Sequence, residues 1–115
     1  MAQYFWTSHA QWKMKYYGLS KQKVSGIIRR PDRIEKGIAG NGTIAVMQGV
    51  SPKMIEGKKI WKHEIWTMYQ HPISLKLRRG EAIKIISAWR YPGVSPKDKP
   101  VPEEILREIL NLTNA

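Results

Sequence analysis

The sequence holds no cysteine and only one phenylalanine. Without cysteine there are no disulfides, no thiolate zinc sites and no cysteine nucleophile, which accords with a reducing compartment. No run of residues approaches the ~18 consecutive apolar positions of a membrane-spanning helix. The opening MAQYFWTSHAQW lacks a basic stretch followed by an apolar one, so no secretory signal is read there. The expectation is a cytoplasmic protein that makes no membrane contact. Metal ligands are equally scarce. His9, His63 and His71 do not fall at zinc spacing, and neither H-E-x-x-H nor a D-x-D-x-D loop occurs. Gly37-x-x-Gly40-x-Gly42 lacks the lysine and the strand-to-helix setting of a phosphate loop and reads as a turn. These residues imply no metal and no cofactor.

Acidic residues are also few, nine against 20 Lys and Arg, for a net charge of +11. The imbalance is uneven. Residues 1–96 carry seventeen of the cations against five acids, whereas 97–115 carries Lys97, Lys99 and Arg107 against Asp98, Glu103, Glu104 and Glu108. A basic balance of this size in a globular chain points to a polyanionic partner bound through its phosphates. Solubility alone is the plainer reading of the same charge.

What is present suits one domain spanning 1–115, with 1–96 as its core and 97–115 as a linker and closing helix. Apolar residues form 42% of the chain, enough for a packed interior. Tyr4-Phe5-Trp6-Thr7 reads as a strand. Ser8-His9-Ala10-Gln11 fits a capping box, with Ser8 accepting from Gln11. The helix that follows sets Ala10, Met14 and Tyr17 on one face and closes at Gly18. Ser20 caps a second helix with Val24, Ile27 and Ile28 on its apolar side, and Pro31 ends it. Strands are expected at 33–36, 43–47, 59–69, 75–78 and 82–89, with loops at 37–42 and 49–57. The 83–89 stretch is the most apolar and the expected middle of the sheet. Pro102 at the first helical position, followed by Glu103 and Glu104, starts a last helix docked by Ile105, Leu106, Ile109, Leu110 and Leu112. The class is α+β.

Thr7-x-His9-Ala10-x-x-Lys13-Met14-x-x-Tyr17-Gly18-Leu19-Ser20, continued by Val24 and Pro31-Asp32, resembles a family of small prokaryotic and phage domains. Those domains open T-x-H-A-x-x-[RK]-M-x-x-R-G-I-S and continue to V…N-P-D. The family is placed in the RelE/ParE-like toxin superfamily, small ribonucleases with two helices packed on a curved antiparallel sheet. Ile83-Lys84-Ile85-Ile86-Ser87-Ala88-Trp89-Arg90 resembles the R-I-I-S-A-R segment of BrnT-type toxins. Lys13 and Tyr17 stand where the family usually has arginines, and Trp89 separates Ala88 from Arg90 where BrnT-like chains do not. The resemblance implies a RelE-like fold with two N-terminal helices on a curved antiparallel sheet, here followed by a C-terminal helix. It also implies a toxin-like endoribonuclease, masked by an acidic antitoxin protein.

Metal-free RNA cleavage requires a base for the 2′-hydroxyl, an acid for the leaving oxygen and cations for the pentacoordinate phosphorus. His9, the family's signature histidine, falls in the first turn of a helix whose amides can meet a phosphate. Arg90 ends the apolar strand, where it can clamp a phosphate, and Lys62 supplies a second cation. Lys13, Arg29, Arg30, Arg33, Arg78, Arg79 and Tyr91 are the expected nucleic-acid contacts. Each has a structural reading beside it: His9 packing at a helix start, Arg90 in a salt bridge, the cations as a solvated face. His63 and His71 can be core and loop residues as readily as acids or bases. Trp6, Trp66 and Trp89 are expected in the core, Trp12 and Trp61 at the surface.

Three functions remain open. The first is a metal-independent endoribonuclease acting through His9, Arg90 and Lys62. The second is a non-catalytic RNA- or DNA-binding module of the same fold, favoured by the arginines missing at 13 and 17. The third is a phage or host factor that binds only protein.

Overall fold

The computed structural model describes residues 4–36, 43–70, 83–96 and 101–113. The expected turn at Asn41-Gly42, the expected strand at 75–78, the Arg79-Gly80-Glu81 turn and His71 lie outside them, as do the side chains of Ile109, Leu110 and Leu112. The chain runs β1 (Tyr4–Trp6), α1 (Ser8–Tyr17), α2 (Lys21–Arg29), β2 (Arg33–Lys36), β3 (Thr43–Gly49), β4 (Lys53–Ile55), β5 (Lys58–Ile60), β6 (Glu64–Gln70), β7 (Ile83–Tyr91) and α3 (Glu103–Thr113). This is an α+β architecture.

The helix starts follow from side chains that satisfy the free amides. Thr7, not Ser8, caps α1: its Oγ1 accepts from Ala10 N at 3.1 Å and donates to the Ile85 carbonyl at 2.7 Å. The cap lies one residue earlier than the pattern predicts because Thr7 is still in extended backbone at the end of β1, where one hydroxyl serves helix and strand together. Gly18 closes α1 in the left-handed region at φ 69°. Ser20 caps α2 as expected, accepting from Lys23 N at 3.0 Å. Pro102 sits one residue before α3 and its carbonyl accepts from Leu106 N at 2.9 Å.

Five strands form one sheet in the order β1-β7-β6-β3-β2. All neighbours are antiparallel except β1 and β7, which are parallel, so the sheet is mixed rather than wholly antiparallel. Its centre is β6, with β7 one strand away. A bulge between Met68 and Tyr69 in the pairing with β7 passes over Ile86.

Alternation along the strands sorts the interior into two clusters. Val46, Ile65, Tyr69, Ile83, Ile85 and Ala88 bury with Ala10 and Met14 of α1 and with Leu19, Val24 and Ile27. Ala45, Met47, Trp66, Met68 and Trp89 bury with Ile105 of α3. Trp66 and Trp89 are direct cross-strand partners whose rings stack in parallel with centroids 6.0 Å apart. The expected assignment of Trp66 and Trp89 to the core holds, and Trp6 is partly buried against the first cluster.

The segment 59–69 is not one strand. Lys58–Ile60 pairs with Lys53–Ile55 in a separate two-stranded ribbon, and the main-sheet strand begins only at Glu64. The ribbon turns through Glu56 and Gly57 at φ 50° and 77°. Two positive φ values in a two-residue loop are those of a type I′ hairpin, which suits the twist of the strands. The expected loop at 49–57 therefore contains a strand. At its base the Trp61 ring lies against Gly49, where a β-carbon would overlap it.

Candidate functional site

The three expected catalytic residues are not gathered in one place. His9 lies in the first turn of α1 and Arg90 donates from Nε to the Tyr17 carbonyl at 2.8 Å, at the other end of that helix. Eight residues of helix rise separate the two ends by about 12 Å. Lys62 is exposed just before Glu64, whose cross-strand partner is Tyr91, so it lies toward the Arg90 end of β7. His9 instead faces Ser87, with Nε2 and Oγ 3.4 Å apart.

The His9 surroundings form a polar seam between α1 and α3. Glu108 Oε2 lies 3.6 Å from His9 Nε2 and 3.2 Å from Lys13 Nζ. Lys13 is 2% exposed, and its ammonium also lies over the rings of Trp12, Tyr16 and Tyr17 at 5.1–5.4 Å. Burial lowers the His9 pKa below the ordinary imidazole value; Glu108 pulls it back up and Lys13 pushes it further down. The fold thus favours the neutral form of His9, which sits beside a hydroxyl and a carboxylate.

Lys13 and Arg33, both expected at a nucleic-acid surface, are engaged inside the fold. Arg33 donates to the Ser95 carbonyl at 2.9 Å, to Ser95 Oγ at 3.0 Å and to Glu35 at 3.0 Å, and its guanidinium lies 5.3 Å from the Trp66 ring centroid. It also faces Glu64 at 3.8 Å. Arginine and lysine look alike in a charge count whether they are solvated or paired.

Glu64 is the anchor that sequence reasoning missed. It is fully buried and accepts from Ser95 Oγ at 2.6 Å, Ser95 N at 3.2 Å, Trp61 Nε1 at 2.8 Å and Trp66 Nε1 at 2.9 Å. Burial alone raises a carboxyl pKa, but here these hydrogen bonds together outweigh it and the Glu64 pKa is lowered. A carboxylate so fully satisfied holds β6, Trp61 and the 95–96 segment together. The readable signal was an acid on an otherwise apolar, aromatic strand.

Arg29 and Arg30, two of the expected nucleic-acid contacts, are exposed at the end of α2 with no ion pair among the described residues. Tyr91 is partly buried and packs against the Trp66–Trp89 cluster. Arg78 and Arg79 lie outside the described residues. Trp12 is 57% and Tyr16 71% exposed, and with His9 they form a ladder of rings along α1, centroids 6.1 and 6.4 Å apart. Trp61 is only partly exposed, its indole held by Glu64.

Among the described residues no group of acids and histidines is placed to hold a metal ion, and no helix is long and apolar enough to cross a membrane. Comparison with family models, curated proteins and solved structures finds no match to the chain.

Proposed function

We propose that the protein is a nucleic-acid-binding module, with single-stranded RNA as its preferred partner. The observation that carries this reading is where the charges go. Most of the described acids face a cation of the protein itself: Asp32 with Lys59, Glu35 and Glu64 with Arg33, Glu108 with Lys13, Glu103 with Arg107. Lys15, Arg29, Arg30, Lys53, Lys58, Lys62 and Lys84 are exposed and have no acidic partner among the described residues. The internal pairs cancel, and among the described residues the surplus of positive charge is left on exposed lysines and arginines. Such a surface gains affinity for phosphates by releasing their counterions.

The exposed rings of Trp12 and Tyr16 favour a single strand over a duplex, because only unpaired bases offer free faces for stacking. Binding is favoured over cleavage by the separation of His9 from Arg90 along α1 and by the engagement of Lys13 with Glu108. The RelE-like arrangement, the toxin activity and an acidic antitoxin partner rest on the motif resemblance, and a cytoplasmic location on composition.

Incubating an end-labelled single-stranded RNA with the protein in EDTA distinguishes the two. Intact RNA shifted into a complex is the expected result. Fragments that vanish with His9→Ala would restore the nuclease reading.

A further inference from the structure

The β4–β5 ribbon carries its apolar side chains outward. Ile55 is 50% and Ile60 45% exposed, on a two-stranded element none of whose residues is buried. Such side chains on a stable hairpin call for an explanation, since a hairpin has no interior of its own. Register explains which ones act together. Lys53 is opposite Ile60 and Ile55 is opposite Lys58, so both isoleucines share one face with two lysines.

That face borders a pocket of about 300 Å³ formed where the ribbon leaves the main sheet. Ile55, Ile60, Val50 and Trp61 line it with apolar surface, and Lys53 and Lys62 are its cations. The volume is at the small end of ligand sites and suits one flat group. The pairing of apolar lining with two ammonium groups fits a ligand that is aromatic at one end and anionic at the other. A nucleotide has that chemistry: a base with apolar faces and a phosphate.

We propose that this pocket takes one unpaired nucleotide, its base against Ile55, Ile60 and Trp61 and its phosphate against Lys53 and Lys62. The proposal rests on the nucleic-acid reading above and adds a defined subsite to it. The ribbon then holds the strand by one base as well as by charge, and duplexes, whose bases are paired, are excluded from the subsite. The same chemistry is offered by a nucleotide within a strand and by a free mononucleotide.

The test follows the isoleucine δ1-methyl resonances of the full chain by NMR while a short oligoadenylate, a matched duplex or adenosine monophosphate is added. Affinities are measured in parallel for Ile55→Ser/Ile60→Ser and for Arg29→Gln. Both isoleucines are half exposed, so the double variant is expected to keep the wild-type melting temperature. Oligoadenylate should move the Ile55 and Ile60 methyls upfield through the base ring current, and the duplex should not. The double variant should lose about tenfold in oligoadenylate affinity, the worth of one stacked base. Arg29→Gln should weaken binding yet leave the methyl shifts at saturation unchanged.

Oligoadenylate binding with unmoved methyls and an unaffected double variant would overturn the subsite while sparing the nucleic-acid reading. Absence of any oligoadenylate binding would remove both. Methyl shifts with adenosine monophosphate alone would make the pocket a mononucleotide site and overturn its role in holding a strand.

Discussion

Lys13 on α1 and Glu108 on α3 meet at 3.2 Å although 95 residues separate them in the chain. The pair fastens the acidic last helix to the first basic one and turns an expected phosphate contact into an internal tie. Lys13 is almost wholly buried, whereas the Glu108 side chain is 25% exposed. Removing the carboxylate therefore strands an ammonium among the rings of Trp12, Tyr16 and Tyr17.

Glu108→Ala is accordingly expected to lower the unfolding free energy by about 2–4 kcal/mol, read from urea unfolding at neutral pH. Lys13→Met, which removes the charge and keeps much of the side-chain volume, should cost less. Equal and negligible losses in both would show that the pair contributes nothing to docking α3.

The neighbouring imidazole gives a pH signature. The folded protein holds His9 with a lowered pKa, chiefly through burial, so the unfolded chain binds that proton more readily. Stability from this source is complete above the ordinary histidine pKa of about 6.5 and is lost as pH falls through the lowered folded value. Thermal melts across the weakly acidic range should show this decline in the wild type and a flatter profile in His9→Asn.

Glu64 behaves in the same sense at lower pH. Its folded pKa is lowered because its hydrogen-bond donors outweigh the penalty of burial, so its stabilising contribution is present above the ordinary carboxylate range. That contribution is lost as pH falls through the lowered value. Glu64→Ala leaves Trp61, Trp66 and Ser95 donors without their acceptor and should cost about 3–5 kcal/mol in urea unfolding at pH 7. Glu64→Gln should cost less and should blunt the loss of stability in acid.

Much of the fold was legible because local chemistry writes it. Ser20, Gly18 and Pro31 mark helix ends, and apolar runs rich in β-branched and aromatic residues mark β3, β6 and β7. The break between β5 and β6 was hidden because alternation continues through Trp61, Lys62 and His63, so two strands of different sheets share one pattern. Glu56-Gly57, a usable type I′ turn pair, was the available signal. The parallel β1–β7 contact depends on residues nearly eighty positions apart and has no local signature. The site was harder to read for the same reason. Whether Lys13 or Arg33 reaches solvent is decided by Glu108, Ser95 and Glu64, which are distant in the chain and near in space.

The most direct test is the anisotropy of a fluorescent single-stranded RNA titrated with the protein over a series of salt concentrations, for the wild type and for Arg30→Gln. Affinity should fall steeply and linearly on a logarithmic salt scale, and loss of one phosphate contact should reduce the slope by about 0.7. Absence of binding at low salt, or an affinity indifferent to salt, would contradict a nucleic-acid-binding surface.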